Sequence, residues 1–342
     1  MNAKVIAVTN QKGGVAKTTT VFTLGVALAR EGFKVLLVDL DPQQSLTCSF
    51  GVFDTDELEY TIADLMKAVM YGNDEPDYER ATLLHPEGVR LLPANYTLFE
   101  IDPMLNNVLS RETVAKRVID GLRQQYDYIL IDCMPSLGVL TINAWTAADT
   151  VVIPVTPDYL SAKALNLLLR SIRQVKRQLN PGLGIDGILM TIVEDYTSDA
   201  KSVMNALRKS SEGGVRVFNS YIPKSIKLKQ AVRRGGSVFA VFHNSRPARA
   251  YDEFTMEFLG KLTEAQKSDR KDADERTEEE KLQDGEKNLL QLTKDELIGF
   301  VTRRTEFRER DLNQKTKAEI MDLARVRMEQ YAEEVIQYAA RF

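Results

Sequence analysis

The sequence predicts an α/β fold, with a mainly parallel sheet flanked by helices and a C-terminal α-helical extension. Short apolar runs rich in valine and isoleucine alternate with segments of helical periodicity along residues 4–262. Strands of that composition are typical of sheets that are covered on both faces. Their alternation with helices favours parallel connections between neighbouring strands. A run of charged residues then separates this region from a second region of helical periodicity.

Six strands and five helices are expected in the first region. The strand-like runs are KVIAVT (4–9), KVLLVD (34–39), VRLLP (89–93), YDYILID (126–132), DTVVIPV (149–155) and GIDGILMTIV (184–193). Helical periodicity covers residues 18–30, 61–70, 111–125, 161–178 and 246–262. We therefore expect a core domain at residues 1–262, a charged linker at 263–286 and a helical tail module at 287–342.

Composition limits the function classes. With 342 residues, of which 44% are hydrophobic, the chain can form one full domain and an appendage. Its formal charge of −4 gives no global sign of nucleic-acid binding, so any basic surface must be local. Cys48 and Cys133 lack metal-ligand spacing, which fits a reducing compartment. No apolar run approaches the ~20 residues of a membrane span, and no charged leader precedes the first strand. We expect a cytoplasmic protein without a membrane partner.

The segment TNQKGGVAKTTT (9–20) has the features of a phosphate-binding loop. A strand, a glycine-rich turn and Lys-Thr at the start of a helix point main-chain N–H groups at phosphates. Lys17 would reach the β- and γ-phosphates, and the Thr18 hydroxyl would bind Mg²⁺. Compared with GxxxxGK[ST], however, Gln11 and Ala16 replace the two glycines. A methyl group at Ala16 requires a negative φ, so that backbone angle is expected there.

The pattern KGGxxKTT resembles the deviant Walker A loop of the ParA/MinD family of ATPases, and NQKGGVAKTT is most similar to the ParA branch. The family's signature lysine corresponds to Lys12, five residues before Lys17. The resemblance covers about residues 1–260. It implies a P-loop NTPase fold, hydrolysis of ATP to ADP and phosphate, and ATP and Mg²⁺ as cofactors. It also implies that Lys12 reaches the partner subunit's nucleotide, so that ATP joins two subunits into a sandwich dimer.

Three aspartates at strand ends support the resemblance. VLLVDLDPQQS places Asp39 and Asp41 after one strand, and YDYILIDCMPSLG places Asp132 at the end of another. Carboxylates at such an edge can hold magnesium waters and orient an attacking water. By resemblance, Asp41 positions the water, Asp39 supports the metal site, and Asp132 is the Walker B counterpart that contacts Mg²⁺ through water. The catalytic residues expected are Lys12 and Asp41, and the metal-site residues are Thr18, Asp39 and Asp132.

The adenine contact is inferred from a later segment. FNSYIPKSIKL (218–228) resembles the family's late strand and loop, whose proline lies near the base. That role falls to Pro223. The residues expected to bind the nucleotide are Gly13, Gly14, Val15, Ala16, Lys17, Thr18, Thr19 and Pro223.

A basic segment predicts the partner of the ATPase. Between Gly213 and Tyr251 there are eight basic residues and no acidic residue, although the chain is acidic overall. Such a segment indicates binding to phosphate backbones, with His243, Asn244 and Ser245 as further hydrogen-bond donors. Because nothing resembles a base-reading helix, nonspecific binding to double-stranded DNA is expected; the alternative is a solvated basic face. The basic residues are Arg216, Lys224, Lys227, Lys229, Arg233, Arg234, Arg246 and Arg249.

Three alternatives come from other classes of protein with this fold. A MinD-like membrane-positioning ATPase would need a basic amphipathic terminal helix, whereas residues 319–342 carry more acidic than basic side chains. A redox member would share a metal cluster between two subunits through cysteines at the dimer interface. Isolated cysteines such as Cys48 and Cys133 are more often core residues. A metabolic ligase would need a substrate pocket, which the sequence does not locate. Another ATPase of the family, one that positions a different cargo, stays open as an alternative.

The sequence therefore predicts a ParA-like ATPase that segregates a plasmid or a chromosome. Its ATP-bound homodimer would coat the nucleoid, and a ParB-like centromere-binding protein would stimulate hydrolysis and release. The first strand begins at Lys4, so no N-terminal helix–turn–helix region is expected. Apolar stripes in residues 287–342 predict a helical module, which the resemblance does not explain.

Overall fold

The computed structural model describes residues 2–72, 76–194, 204, 215–261, 315–316 and 319–320, without the side chains of residues 159–163. The chain divides into two compact units. The first comprises Met1–Glu194 and Gly214–Gly260, and the second comprises Asp195–Gly213 and Lys261–Phe342. The expected linker at 263–286 lies outside the described residues, as does nearly all of the expected tail at 287–342. The division into core, linker and tail stays a prediction.

A single sheet organises the first unit. Its eight strands follow the order β3-β4-β2-β5-β1-β6-β7-β8. Every neighbouring pair runs parallel except β3 and β4, which confirms the expected fold class. The strands are β1 (Lys4–Val8), β2 (Val35–Leu40), β3 (Leu83–Leu84), β4 (Arg90–Leu92), β5 (Tyr128–Cys133), β6 (Thr150–Val155), β7 (Gly184–Val193) and β8 (Val217–Pro223).

Helices connect the strands and cover the sheet. All five expected helical segments are present, but the segment 111–125 forms a 3₁₀ turn (Arg111–Thr113) followed by a short helix that ends at Asp120. Gly121 follows this helix, and a Cβ there would lie 2.2 Å from the Tyr78 hydroxyl, so glycine allows the close approach of Tyr78. The helices are α1 (Lys17–Arg30), α2 (Ser45–Ser49), α3 (Ile62–Tyr71), α4 (Leu98–Leu105), α5 (Val114–Asp120), α6 (Val139–Ala147), α7 (Tyr159–Gln178), α8 (Ile226–Arg233), α9 (Val238–Phe242) and α10 (Arg246–Phe258).

Helix α1 lies at the centre of the core, and the phosphate loop leads directly into its first turn. It is buried along most of its length, because β2 and β5 lie on one side and α10 on another. Gly25 allows the close approach to the sheet, since a Cβ there would lie 2.5 Å from Leu37 Cδ2. On the opposite side, the Thr20 hydroxyl lies 3.2 Å from the Tyr251 hydroxyl. The position of α1 is therefore fixed on both sides.

A buried carboxylate joins the last helix to the last strand. The Glu257 side chain on α10 is only 1% exposed. The Asn219 N–H donates to its Oε1 at 2.8 Å, and the Ser220 N–H and hydroxyl donate to its Oε2 at 2.7 and 2.6 Å. The Arg216 guanidinium lies 3.3 Å from Oε1. A buried charge is tolerated here because both of its oxygens are hydrogen-bonded and a cation is nearby.

In the second unit, four described residues form the start of a helical turn. The Thr316 N–H and hydroxyl donate to the Glu319 carboxylate at 2.7 and 2.8 Å. The Glu319 N–H donates in return to the Thr316 hydroxyl at 3.3 Å. This reciprocal arrangement is a capping box, which satisfies the free N–H groups of a helix start.

We predict that Glu257→Ala lowers the free energy of unfolding by about 2–4 kcal/mol, because it leaves buried N–H groups without acceptors. Chemical denaturation followed by circular dichroism measures the change. Glu253→Ala on the exposed side of the same helix is the control, with an expected effect within about 0.5 kcal/mol. Equal effects of the two variants would contradict this account of Glu257.

Candidate functional site

The phosphate loop joins β1 to α1 at the edge where the parallel strands end. The Asn10 side chain donates to the Pro154 carbonyl oxygen at 2.7 Å and accepts from the Lys12 N–H at 2.9 Å. The Thr191 hydroxyl donates to the Val15 carbonyl oxygen at 3.0 Å. Strands β6 and β7 thus support the loop through buried hydrogen bonds.

The inner side of the loop has the properties of an anion site. A Cβ on Gly13 or Gly14 would meet no atom within 4 Å, so there is open space beside the loop. Gly14 has a φ of +74°, a conformation that favours glycine. The main-chain N–H groups of residues 13–18 donate to no acceptor within the described ranges. Free N–H groups at a helix N-terminus can bind phosphate oxygens.

Ala16 does not have the negative φ that the sequence suggested. Its φ is +63° and its ψ is 32°, in the left-handed region. For a residue with a Cβ this conformation costs roughly 1–2 kcal/mol. It places Ala16 as the N-cap of α1, where its carbonyl oxygen accepts from the Thr20 N–H at 2.9 Å. The expectation was wrong because the geometry of the loop outweighs the preference of the residue, as occurs at functional sites.

Lys17 is directed inward from the start of α1. The residue is 7% exposed, and its Nζ lies 3.4 Å from the Lys12 carbonyl oxygen. Burial lowers the pKa of Lys17, while the charges of Asp132, Cys133 and Asp41 act in the opposite direction. A poorly solvated ammonium group in a loop of free N–H groups is suited to contact a phosphate.

Thr18, Asp39 and Asp132 come together at this edge, as expected for a metal site. Asp39 and Asp132 are paired in the register of β2 and β5, and the Thr18 hydroxyl donates to Asp132 Oδ2 at 2.6 Å. Asp132 Oδ1 is buried without a hydrogen-bond partner. Burial, and after it repulsion from Asp39, raises the pKa of the Asp132 carboxyl well above its usual value. A magnesium ion fits this group of oxygens because it would relieve the repulsion.

The two aspartates after β2 have different surroundings. Both oxygens of Asp39 accept hydrogen bonds: Oδ2 from the N–H and hydroxyl of Thr47 at 2.8 and 2.7 Å, and Oδ1 from the Asp41 N–H at 3.3 Å. Burial raises the pKa of Asp39 to about 6 despite these bonds. Asp41 Oδ1 accepts from the Gln43 N–H at 2.9 Å. Asp39 therefore anchors α2 through Thr47, a contact that the sequence did not reveal.

Lys12 lies within reach of an acidic residue of its own chain. Its Nζ is 2.8 and 3.0 Å from the Asp158 carboxylate oxygens and 3.5 Å from the Thr156 hydroxyl. The two charged side chains are 37% and 41% exposed. Sequence reasoning missed Asp158, although a signal was present, because this aspartate follows a strand end just as Asp41 does. In this structure the lysine is held at the connection between β6 and α7.

A metal-binding cluster made of protein ligands alone is not found at the described positions. No group of three or more His, Cys, Asp or Glu side chains is placed there to hold a metal ion. Magnesium needs no such group, because it is usually bound by one or two side chains together with phosphate oxygens and water. Cys133 is buried at the end of β5, and burial raises the pKa of its thiol. This favours an inert core cysteine.

Pro223 is the last residue of β8. It is buried and is paired with Val193 in the register of β7. The Lys224 N–H continues this ladder by donating to the Val193 carbonyl oxygen at 3.0 Å. The role of Pro223 beside the base stays a prediction.

All eight basic residues of the segment 213–251 are exposed, and two of them, Arg216 and Lys224, form ion pairs with acidic residues in the described part of the chain. Arg216 interacts with the buried Glu257, and Lys224 forms an ion pair with Glu194. Arg216 is therefore part of the packing between β8 and α10. Its guanidinium also lies 4.7 Å from the centre of the Phe218 ring. These two residues contribute less free charge to the surface than their position in the sequence suggests.

The other basic residues lie on α8, at its end and at the start of α10. Helix α8 contains no acidic residue. Lys227 and Arg234 both lie 5.6 Å from the centre of the Phe242 ring of α9. Of the three further donors, His243 and Asn244 are exposed, whereas Ser245 is buried and its hydroxyl has no partner among the described residues. We call this group the basic surface: Lys227, Lys229, Arg233, Arg234, Arg246 and Arg249.

Comparison with known proteins gives consistent matches. The family model described as an AAA domain matches residues 3–185. The chain is 39% identical over 254 residues to the sporulation initiation inhibitor protein Soj of Bacillus subtilis (strain 168), covering 74% of this chain and 97% of that protein. It is 32% identical over 265 residues to the chromosome partitioning protein ParA of Caulobacter vibrioides (strain NA1000), covering 77% and 96%.

A solved structure extends the comparison to three dimensions. It is the cobyrinic acid a,c-diamide synthase from Mycobacterium smegmatis with bound ATP analog and magnesium. Its identity to this chain is 37%, its TM-score is 0.64, and the match covers 75% of this chain and 94% of that one. Among the described helices, none combines the length and apolar character needed to cross a membrane. The phosphate loop and the paired aspartates at the strand ends agree with these relatives. The chain therefore belongs to the ParA and Soj family of partition ATPases.

Proposed function

We propose that this partition ATPase forms an ATP-dependent sandwich dimer, binds DNA without sequence preference, and is released when a ParB-like partner stimulates hydrolysis. The observation that carries the proposal is the basic surface on α8 and α10, in the same unit as the phosphate loop and Lys12. ATP and Mg²⁺ are the cofactors. We place the protein in the cytoplasm, on the nucleoid.

The residues around the loop have separate roles in this mechanism. Bound magnesium would neutralise charge on the phosphates during transfer. The N–H groups of residues 13–18 and the ammonium group of Lys17 hold the phosphates, and Thr18 and Asp132 supply oxygens to the metal site. Asp41 accepts a hydrogen bond from the attacking water and so orients it. Pro223 lies beside the adenine base.

Lys12 has to leave Asp158 before it can reach a partner's nucleotide. Ion pairs between exposed side chains contribute only about 0–1 kcal/mol, and both of these side chains are more than one-third exposed. The contact with Asp158 therefore holds Lys12 in place without trapping it. A phosphate group of the partner's ATP carries more charge than one carboxylate and would compete successfully.

A different activity on the same fold has one supporting observation. The structure from Mycobacterium smegmatis is titled as a diamide synthase, and such an enzyme also uses an ATP site. The ATP site alone does not separate the two activities. Partition is favoured because proteins named Soj or ParA from three organisms match this chain and because partition gives the basic surface a role in DNA binding. DNA binding is the property that distinguishes them experimentally.

We predict that Lys12→Ala abolishes ATP-dependent dimerisation and hydrolysis but leaves the fold intact, because the cross-subunit contact is lost. Light scattering with ATP measures dimerisation. Asp158→Asn is the contrasting variant, which removes the negative charge beside the lysine and keeps the lysine itself. It should lower the ATP concentration for half-maximal dimerisation by about two- to fivefold, the equivalent of a weak ion pair. An unchanged dimer in Lys12→Ala would contradict the cross-subunit role.

Asp41→Ala is expected to give an ATP-bound dimer that persists, because the water is no longer oriented while the phosphate contacts remain. The measurement is ATP turnover together with the lifetime of the dimer after removal of free ATP. Glu59→Ala, at an exposed position, serves as the control and should turn over ATP at the wild-type rate. Normal hydrolysis by Asp41→Ala would show that another residue orients the water.

For DNA, we predict that Arg233→Glu/Arg234→Glu raises the Kd for any duplex at least tenfold, and that wild-type binding weakens steeply with salt. The salt slope of the variant should be smaller by about 2, one for each lost phosphate contact. Lys176→Glu/Arg177→Glu is the charge-matched control, because the end of α7 lies at the opposite edge of the sheet. Equal losses in the two variants would indicate a general charge effect instead of a DNA surface.

A further inference from the structure

The turn between α8 and α9, residues 235–237, is contacted by two distant segments of the chain. One is the end of α2, which follows the aspartates of the nucleotide site. The other is the turn between β3 and β4, residues 85–88. Because Arg233 and Arg234 of the basic surface lie just before this turn, the contacts determine how the end of α8 is held. None of the roles described above involves these contacts.

The main chain at the end of α2 lies close to the main chain of the turn. Thr47 on α2 binds Asp39 of the nucleotide site. The helix ends at Phe50 and Gly51, and Gly51 has a φ of +97°. A Cβ on Gly51 would lie 3.5 Å from the Gly235 Cα. The nearest atoms to that position belong to the main chain of Gly235, so no flexible side chain lies between the two residues to absorb a shift of α2.

His85 adds a second contact to the same residue. Its ring packs against Phe22 and Phe50, with centroid distances of 5.5 and 4.7 Å. Its Nδ1 accepts from the Glu87 N–H at 3.2 Å, so the ring proton is assigned to Nε2. Nε2 then donates to the Gly235 carbonyl oxygen at 3.1 Å. His85 therefore links Phe50, which ends α2, to the residue that follows α8.

Glu87 fixes the other end of the turn. Its carboxylate accepts from the Ser237 N–H at 2.7 Å and from the Ser237 hydroxyl at 2.5 Å. The same hydroxyl accepts from the Phe239 and Ala240 N–H groups at 3.1 and 3.4 Å, which caps α9. Helix α9 in turn provides the Phe242 ring below Lys227 and Arg234. One carboxylate thus holds the start of the helix that supports the basic surface.

We propose that Glu87 and His85 are positioning residues that couple the nucleotide site to the basic surface. Occupation of the site moves Asp39, and α2 moves with it because Thr47 stays hydrogen-bonded to this carboxylate. The shift reaches Gly235 through Gly51 and His85, and Glu87 keeps the turn from absorbing it. Arg233 and Arg234 are then presented to DNA only in the nucleotide-bound state. The part of this inference that concerns DNA rests on the proposed function, whereas the coupling itself does not.

Hydrogen exchange of the full-length protein tests the coupling without DNA. In the wild type, a non-hydrolysable ATP analogue with Mg²⁺ should slow exchange of the amides in residues 226–237 at least fivefold. In Glu87→Gln, which keeps the shape but removes the charge, most of that effect should disappear. Glu79→Gln, an exposed glutamate shortly before β3, should behave as the wild type. An unchanged rate in the wild type, or an intact effect in Glu87→Gln, would overturn the proposal.

Two further measurements separate positioning from a loss of structure. Glu87→Gln and Ser237→Ala should keep ATP-dependent dimerisation and hydrolysis, and the double variant should lose no more coupling than either single one, as expected for one shared contact. Loss of dimerisation in both would make the contact merely structural and would also overturn the proposal.

In DNA binding, the ratio of affinities with ATP and with ADP should fall at least fivefold in Glu87→Gln. If the wild type binds no DNA but shows the exchange effect, the proposed function fails and the coupling stands.

Discussion

The repulsion between two buried carboxylates is the constraint on which the site depends. Asp39 and Asp132 are neighbours on adjacent parallel strands, and both are fully buried. Repulsion from Asp39 adds to the effect of burial in raising the pKa of the Asp132 carboxyl. Such a pair is costly unless positive charge is supplied. Lys17 supplies part of it, and a bound cation would supply the rest.

The neighbouring structure can be understood as support for that pair. Thr47 and the Asp41 main chain satisfy the oxygens of Asp39, while Thr18 satisfies one oxygen of Asp132. The left-handed conformation of Ala16 starts α1 at the point that brings Thr18 to this oxygen. That conformation costs roughly 1–2 kcal/mol. The packing of α1 on both sides offsets this cost, so the strain persists at the site.

The sequence predicted the sheet, the phosphate loop and the strand-end aspartates, because each has a local pattern. Apolar runs mark buried strands, and strand ends in a parallel sheet meet at one edge. Other features had no such pattern. Helix α6 is buried on nearly all sides and so lacks an amphipathic period. The φ of Ala16 follows from the loop as a whole. The partners of Arg216 and Lys224, Glu257 and Glu194, lie outside the basic segment, so local charge counting overestimated that segment's free charge.

Burial also separates the parts of the site that can move from those that cannot. Asp39, Asp132, Glu257 and Ser237 are buried, and breaking their hydrogen bonds would leave polar groups without partners, a cost of about 1–3 kcal/mol for each group. Lys12 and Asp158 are partly exposed, and water can replace either partner at little cost. The buried contacts are therefore suited to transmit a change, because they stay intact while the chain shifts. The exposed pair is suited to exchange partners, which the proposed cross-subunit role of Lys12 requires.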